Sequence, residues 1–387
     1  MVFYLIYQKI LYKEVTMKVV ITGGGTGGHI SPALAIVDIL KDMCEKVEIL
    51  YIGSENSMES EIVPKSGLRF LTVKTGFINR KLLSLSNLVT LYNNLIGLFQ
   101  AIRIIKKEQP DLVIGTGGFV SGPVVLAGKL IGKKTMIHEQ NAYPGITNKM
   151  LSRIVDVVLI SFSESDSFFK RARKTVLVGN PLKKEILGYT RKQSRMDFGI
   201  SEDIFFIYSF GGSGGQVSLN NAILDLILKI KGDSRIRLLH VTGKRLFERF
   251  NLELKEKGID PLPRNVTVVD YMIDAPKALN ACDVVIGSAG AITVSEITAL
   301  GLPAILVPKA YTAENHQEKN ARSIEKNGGA FVLTEKEVSG DLLINLIESL
   351  INNKELYDKM KRNSYKMANL KSEKMIQLEI RKLIANG

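Results

Sequence analysis

The chain has 387 residues, 45% of them hydrophobic and 7% aromatic, with no tryptophan and a formal charge of +13 at pH 7. That length exceeds one ordinary core and points to two domains or three, and the composition fits a soluble globular α/β protein. The charge implies a polyanionic partner: nucleic acid, an anionic membrane surface or a phosphorylated substrate. The two cysteines, Cys44 and Cys282, share no metal-ligand spacing, so both are expected as core thiols.

No apolar run is expected to reach the roughly 18 to 20 residues of a spanning helix. The opening Met1–Gln8 is too short for a signal peptide and soon meets Lys9 and Lys13. Residues 1–16 are expected to be an appendage or the product of an upstream start, because Met17 begins the first clean strand.

From Met17 onward, short apolar runs alternate with helical periodicity. Strands are expected at Val19–Thr22, Val47–Ile52, Leu68–Val73, Leu112–Ile114, Thr135–Ile137, Val157–Ile160 and Val176–Val178, with a helix over Pro32–Leu40. Gly179-Asn-Pro181 breaks the series, and the basic stretch Lys183–Arg195 reads as a hinge. A second series follows, with strands at Phe205–Ser209, Arg237–Val241, Val266–Val269, Val284–Ile286, Ala304–Val307 and Ala330–Leu333. Its helices are expected at Leu219–Ile230, Ile292–Leu300, Glu314–Lys326 and Asp341–Asn352, before a charged helical tail. Such alternation marks doubly wound, mostly parallel sheets.

Four strands run into glycine turns: Gly23–Gly28, Gly115–Gly118, Gly211–Gly215 and Gly287–Gly290. Glycine lets the backbone approach a phosphate, and the helix that follows presents unpaired N–H groups. Matched pairs of such turns imply two similar nucleotide-type domains whose turns crowd a cleft. Gly23, Gly25 and Gly28 also fit a dinucleotide fingerprint, although Glu55 comes late for its acidic partner. Gly211, Ser213 and Gly215 fit a nucleophile elbow, with Glu296 and His316 to follow; a phosphate-holding Ser213 accounts for more of the chain. His29, at the mouth of the first turn, is a general-base candidate. His138-Glu-Gln-Asn141 sets four polar groups at a strand end. Residues 69–107 carry Arg69, Lys74, Arg80, Lys81, Arg103, Lys106 and Lys107 among leucines, without one Asp or Glu. That segment reads either as a membrane-lying amphipathic stretch or as a helix packed on its own domain.

These motifs, taken in order, resemble the MurG-type N-acetylglucosaminyltransferases of glycosyltransferase family 28. The residues that carry the resemblance are Gly24–Pro32, Gly117–Pro123, His138–Gly145, Thr147–Lys149, Gly179–Pro181, Gly211–Ser213, Thr293–Glu296 and His316-Gln317. It implies the type B glycosyltransferase (GT-B) fold, two Rossmann-like doubly wound parallel-sheet domains facing a central cleft. An acceptor- and membrane-binding domain is expected over 17–180 and a UDP-GlcNAc-binding domain over 181–365, with 366–387 a helix packing back on the first. The implied reaction is inverting transfer of GlcNAc from UDP-GlcNAc to the 4-hydroxyl of the MurNAc of undecaprenyl-pyrophosphoryl-MurNAc-pentapeptide (lipid I), giving lipid II and UDP.

By the same resemblance, His29 is the catalytic base. The donor contacts are Thr26, Gly27, Gly28, Asn141, Lys183, Ser213, Met272, the run Ala291, Ile292, Thr293, Val294, Ser295 and Glu296, and His316 with Gln317. Within that set Ser213 meets the diphosphate, the backbone at Met272 the uracil, Glu296 the ribose, and Gln317 with His316 the transferred sugar. Gly117, Gly118, Phe119 and Glu139 are expected on the acceptor side. Arg80, Lys81, Leu82, Leu83 and Leu85 are expected at the membrane. No D-x-D motif is present, so neither metal nor cofactor is expected, and helix dipoles, backbone N–H groups and Ser213 carry the leaving-group charge. The expected partners are UDP-GlcNAc, lipid I, an anionic membrane surface and other cell-wall and division proteins, without nucleic acid. The expected location is peripheral, on the cytoplasmic face of the cell membrane. The chain departs from the family pattern at Leu182-Lys183, Ser288, Gln216 and Phe119. Rival readings are a diacylglycerol glycosyltransferase, an NAD-dependent oxidoreductase and a nucleotide-sensing module.

Overall fold

The computed structural model describes residues 16–76, 85–182, 184–212, 214–312 and 315–385, with only the backbone at 85–87. Among the expected site residues, Arg80, Lys81, Leu82, Leu83, Lys183 and Ser213 lie outside the described residues, as do residues 1–15 and Glu314. The described residues form two compact units, one from 16–181 with 370–385 and one from 182–369.

The first unit runs β1 (Met17–Thr22), α1 (Gly27–Met43), β2 (Val47–Ser54), α2 (Met58–Lys65), β3 (Arg69–Val73) and α3 (Leu85–Glu108). It continues with β4 (Leu112–Gly115), α4 (Ser121–Leu130), β5 (Lys134–Glu139), α5 (Ile146–Leu151), β6 (Val157–Ile160) and β7 (Thr175–Leu177). Its parallel sheet has the order β3-β2-β1-β4-β5-β6-β7. Parallel strands are covered on both faces, which explains their continuous apolar runs. On β1, Val19 and Ile21 face a core shared with α1, while Val20 faces the opposite core with α3 and α4. The C-terminal helix Ser372–Ala385 belongs to the first of these cores through Ile376 and Ile380. Its Glu379 pairs with Lys174, and Ser372 Oγ donates to the Gly179 carbonyl.

The second unit runs α6 (Lys184–Gly188), α7 (Arg191–Asp197), β8 (Phe205–Phe210), α8 (Val217–Ile230), β9 (Ile236–Val241), α9 (Phe247–Glu256), β10 (Val266–Val269) and α10 (Ala275–Ala281). Then come β11 (Val284–Gly287), α11 (Ala291–Ala299), β12 (Ala304–Leu306), α12 (His316–Lys326), β13 (Ala330–Val332), α13 (Gly340–Asn352) and α14 (Lys354–Lys366). Its sheet order is β10-β9-β8-β11-β12-β13, again parallel. Each sheet therefore reverses direction of growth beside its first strand, between β1 and β4 and between β8 and β11. This switch point is where doubly wound folds bind ligands. The four glycine turns lie at the two switch points.

The stretch expected as a hinge begins where the second compact unit begins, and within it α6 and α7 are helical and Arg195 is fully buried. Arg195 and Arg191 both donate to the Asp283 carboxylate (3.1 and 2.6 Å), which also accepts from Phe206 N–H and Tyr357 O–H. A buried charge persists only when paired and hydrogen-bonded in this way.

One expectation needs correction, and it concerns α3. Over Leu88–Glu108 it is long and apolar enough, by length and composition, to cross a membrane. Counting uninterrupted runs missed this because Asn93, Asn94 and Gln100 break the run without lowering the average enough. Ala101 and Ile105 enter the core, whereas Leu88, Val89, Leu91, Tyr92, Leu95 and Phe99 are exposed. The packed-helix reading thus holds for the C-terminal half of the helix, while the N-terminal half leaves an apolar face exposed. Arg69 is neutralised by Glu108, one residue beyond the acid-free window (2.7 Å). Both cysteines are buried.

Candidate active site

In the first unit, β1 delivers the chain into Gly23–Gly28 and β4 delivers it into Thr116–Gly118. The two turns interlock, and only glycine permits it. A Cβ on Gly118 would lie 2.1 Å from the Gly24 carbonyl, and Gly118 has φ +83°. A Cβ on Gly23 would lie 1.9 Å from Thr116 Oγ1. Thr116 can therefore reach His29 twice. Its hydroxyl donates to the His29 carbonyl (2.8 Å), and its own carbonyl accepts from His29 Nδ1 (3.0 Å).

A carbonyl only accepts, so His29 carries its proton on Nδ1 and keeps the Nε2 lone pair available. Gln140 Oε1 lies 3.4 Å from the same Nδ1. The orientation of that amide is fixed because its Nε2 donates to His138 Nδ1 (3.0 Å) and to the His138 carbonyl (2.9 Å). His138 in turn donates from Nε2 to the Gly179 carbonyl (3.1 Å). Burial pushes His138 down to about 4, so it stays neutral.

The polar cluster at 138–141 thus supports His29 from behind. Glu139, expected on the acceptor side, is buried and accepts from Asn141 N and Nδ2, Gly145 N and Asn148 Nδ2. A carboxylate spent on four donors of its own loop orders that loop and holds Asn141; it does not project outward. Thr26, Gly27 and Gly28 are exposed at the start of α1, and Phe119 packs over Gly25.

The first turn also departs from a phosphate cradle. The Gly25 N–H, which would face an anion, donates to Glu59 Oε2 (2.9 Å), and Ser54 bonds the other carboxylate oxygen. Burial pushes the Glu59 carboxyl up, but these bonds outweigh it and hold the group below its ordinary value. A buried anion beneath the turn suits a neutral hydroxyl better than a phosphate.

In the second unit the adjacent ends of β8, β11 and β12 bring three loops side by side. Gly212, in the first, has Ser288 Oγ at 3.4 Å and Lys309 Nζ at 3.8 Å from the position a Cβ would take. Gly290 caps α11, whose first two turns hold Ala291, Ile292, Thr293, Val294, Ser295 and half-buried Glu296. His316 and Gln317 open α12, and Gln317 Oε1 accepts from Lys309 N–H (3.0 Å), tying that helix to the loop after β12. Met272 lies in the turn after β10. The described members of the expected donor set therefore separate cleanly, with Met272, 291–296, His316 and Gln317 in the second unit and Thr26–Gly28 and Asn141 in the first. Among the described residues no three His, Cys, Asp or Glu side chains converge as metal ligands. Thr116 and Gln140 lay inside motifs already singled out, but only pairing across strands shows them to be His29's partners. Glu59 had no sequence signal.

Comparison with known proteins agrees with this architecture. Residues 19–160 match the glycosyltransferase family 28 N-terminal domain and residues 206–377 its C-terminal domain. A UDP-N-acetylglucosamine--N-acetylmuramyl-(pentapeptide) pyrophosphoryl-undecaprenol N-acetylglucosamine transferase of Alkaliphilus oremlandii is 43% identical over 350 residues, 90% of this chain and 94% of that one. The protein of the same name from Clostridioides difficile is 43% identical over 342 residues, 88% of this chain and 82% of that one. The crystal structure of Acinetobacter baumannii MurG superposes with a TM-score of 0.76 at 25% identity, covering 95% of this chain and 99% of that one. The calicheamicin glycosyltransferase CalG4, at 14% identity and a TM-score of 0.68, shares the fold, with 96% of this chain and 98% of that one covered. The two parallel-sheet domains are those of the GT-B fold, and the chain belongs to glycosyltransferase family 28.

Proposed function

We propose that this chain transfers N-acetylglucosamine from UDP-GlcNAc to the muramoyl 4-hydroxyl of undecaprenyl-pyrophosphoryl-MurNAc-pentapeptide, with inversion from α to β. The observation that carries the mechanism is the 3.0 Å bond from His29 Nδ1 to the Thr116 carbonyl, which leaves Nε2 as the basic nitrogen. His29 Nε2 takes the proton of the 4-hydroxyl as its oxygen bonds the anomeric carbon. The bond from that carbon to the β-phosphate oxygen breaks, and its electron pair leaves with UDP. General-base removal of this kind contributes about 10² to 10⁴-fold.

The first unit supplies the base and the acceptor's surroundings; the second, through Met272, Ala291–Glu296, His316 and Gln317, binds the donor. Glu296, half-buried two turns into α11, suits a pair of ribose hydroxyls. We place the enzyme peripherally on the cytoplasmic face of the cell membrane, against anionic lipid. The support is the exposed apolar face of α3, from Leu88 to Phe99, with Arg103, Lys106 and Lys107 further along the same helix. UDP release from UDP-GlcNAc, measured with and without a lipid I analogue, tests the reaction. Release that ignores the analogue would sink the acceptor assignment. Binding of Leu91→Asp and Phe99→Asp to anionic vesicles tests the location, and wild-type retention by both would refute it.

A further inference from the structure

We propose that Lys309 and Arg245 grip the diphosphate of the sugar donor from two sides of the glycine turn after β8, an assignment that rests on the donor reading above. Arg245 lies in the turn after β9, and that turn is locked to the glycine turn by backbone contact. A Cβ on Gly215 would fall 2.1 Å from the Thr242 carbonyl, and one on Gly243 2.4 Å from Gly215 N. Both residues have positive φ, +72° and +86°, so the contact is built on glycine from each side. It brings Arg245 Nη2 to 3.1 Å from the Cβ position of Gly214. From the other side, Lys309 Nζ donates to the Gly215 carbonyl (2.9 Å) and sits 3.8 Å from the Cβ position of Gly212.

Among the described residues neither cation is ion-paired with an acid. Among the described residues Arg245 makes no hydrogen bond or ion pair, and the Lys309 ammonium, with three donors, uses one. Glu335 is the nearest candidate, but it accepts from Gln216 Nε2, Ser218 Oγ and Ala310 N. Lys309 is half-buried, and burial holds its pKa below the ordinary value. Glu335 partly offsets that, and the neighbouring Arg245 adds to the lowering. Two cations held close with spare donors and no anion between them are unfavourable unless a ligand neutralises both. A diphosphate does so, with oxygens for the ammonium on one face of the turn and for the guanidinium on the other.

The test is a ladder of uridine, UMP and UDP titrated calorimetrically into wild type, Lys309→Met, Lys309→Arg and Arg245→Ala. Lys309→Met should weaken UDP by about ten- to a hundredfold, the usual worth of a charge-assisted hydrogen bond, and leave uridine unchanged. Arg245→Ala, at an exposed position, should weaken UDP by about threefold at low salt and less at high salt. Lys309→Arg should retain most of the affinity. UDP affinity unchanged in both deletion variants, or falling in step with uridine, overturns the proposal. Arg245→Ala removes an unpartnered exposed side chain, so folding does not cloud its result. A parallel titration with a soluble prenyl diphosphate separates the two diphosphates of the reaction. Loss there with UDP unaffected would also overturn the assignment to the donor. Failure of wild type to bind UDP at all would instead sink the donor reading itself.

Discussion

The two switch points are built from one plan and furnished with opposite charge. Each places a glycine turn after the first strand of its unit beside a second glycine turn after the fourth, and each first turn is locked by contacts that no side chain would allow, to the turn after β4 in one unit and to the turn after β9 in the other. Beneath the first lies Glu59, a buried carboxylate that occupies the Gly25 N–H. Beside the second lie Lys309 and Arg245, neither of them ion-paired with an acid among the described residues. Identical backbone therefore does not imply an identical ligand. The charge packed against the turn decides whether its N–H groups are left for an anion, and on the proposed reading it separates the place that handles a hydroxyl from the place that handles a diphosphate.

The largest effect that would test this division is at His29. His29→Ala should cut turnover by about 10² to 10⁴-fold while UDP affinity stays near wild type, because the base and the diphosphate grip lie in different units. Comparable losses in turnover and in UDP affinity, read by UDP release and calorimetry, would break the comparison.

Much of the fold was legible because parallel strands carry their own signal. Every expected strand corresponds to an observed one, and the pairing of the glycine turns announced the duplication. The helices Met58–Lys65 and Ser121–Leu130 and the burial of Arg195 were not legible. Arg195 reads as one more charge in a basic stretch until Asp283, some ninety residues on, is folded against it. His29 was legible from its place at a helix start. Its tautomer was not, because the Thr116 carbonyl that fixes it lies across the sheet. The opposite charges at the two turns were illegible for the same reason: Glu59 and Lys309 are far in sequence from the glycines they serve.

Each unit also buries one neutral histidine, and the pair separates stability from catalysis. Burial pushes His138 down to about 4 and His240 to about 3, both below the ordinary 6.5. The unfolded chain takes up these protons below pH 6.5 and the native state refuses them. Their contribution is therefore complete above pH 6.5 and is lost as pH falls toward 4. For His138 the loss is on the order of 3 kcal/mol. Urea midpoints from pH 7.5 to 4.5 should fall less steeply in His138→Gln and His240→Gln than in wild type. Only His138→Gln should also lower turnover, since Gln140 links it to His29, whereas His240 bonds Ser209 and Asn220. Equal turnover losses would dissolve the distinction.

A smaller effect is expected at the interlocking turns. Gly118→Ala forces a Cβ toward the Gly24 carbonyl and strains φ, at a cost of about 2 kcal/mol. Turnover should fall with it as Thr116 and His29 shift, while the UDP ladder is unmoved. A drop in UDP affinity would show that the first turn, too, touches the donor.

The smallest effect bears most directly on the charge beneath the first turn. Glu59→Gln keeps the shape and one acceptor oxygen but removes the anion that Ser54 and Gly25 stabilise, so about 1 kcal/mol should be lost at pH 7. Because those bonds hold the folded Glu59 below its usual pKa, its contribution is present above the unfolded carboxylate range and disappears as pH falls through the folded value. The difference between variant and wild type in urea midpoint should accordingly shrink below about pH 4. A difference that stays constant with pH would mean that shape, not charge, supports the turn, and the electrostatic contrast between the two switch points would then rest on the second unit alone.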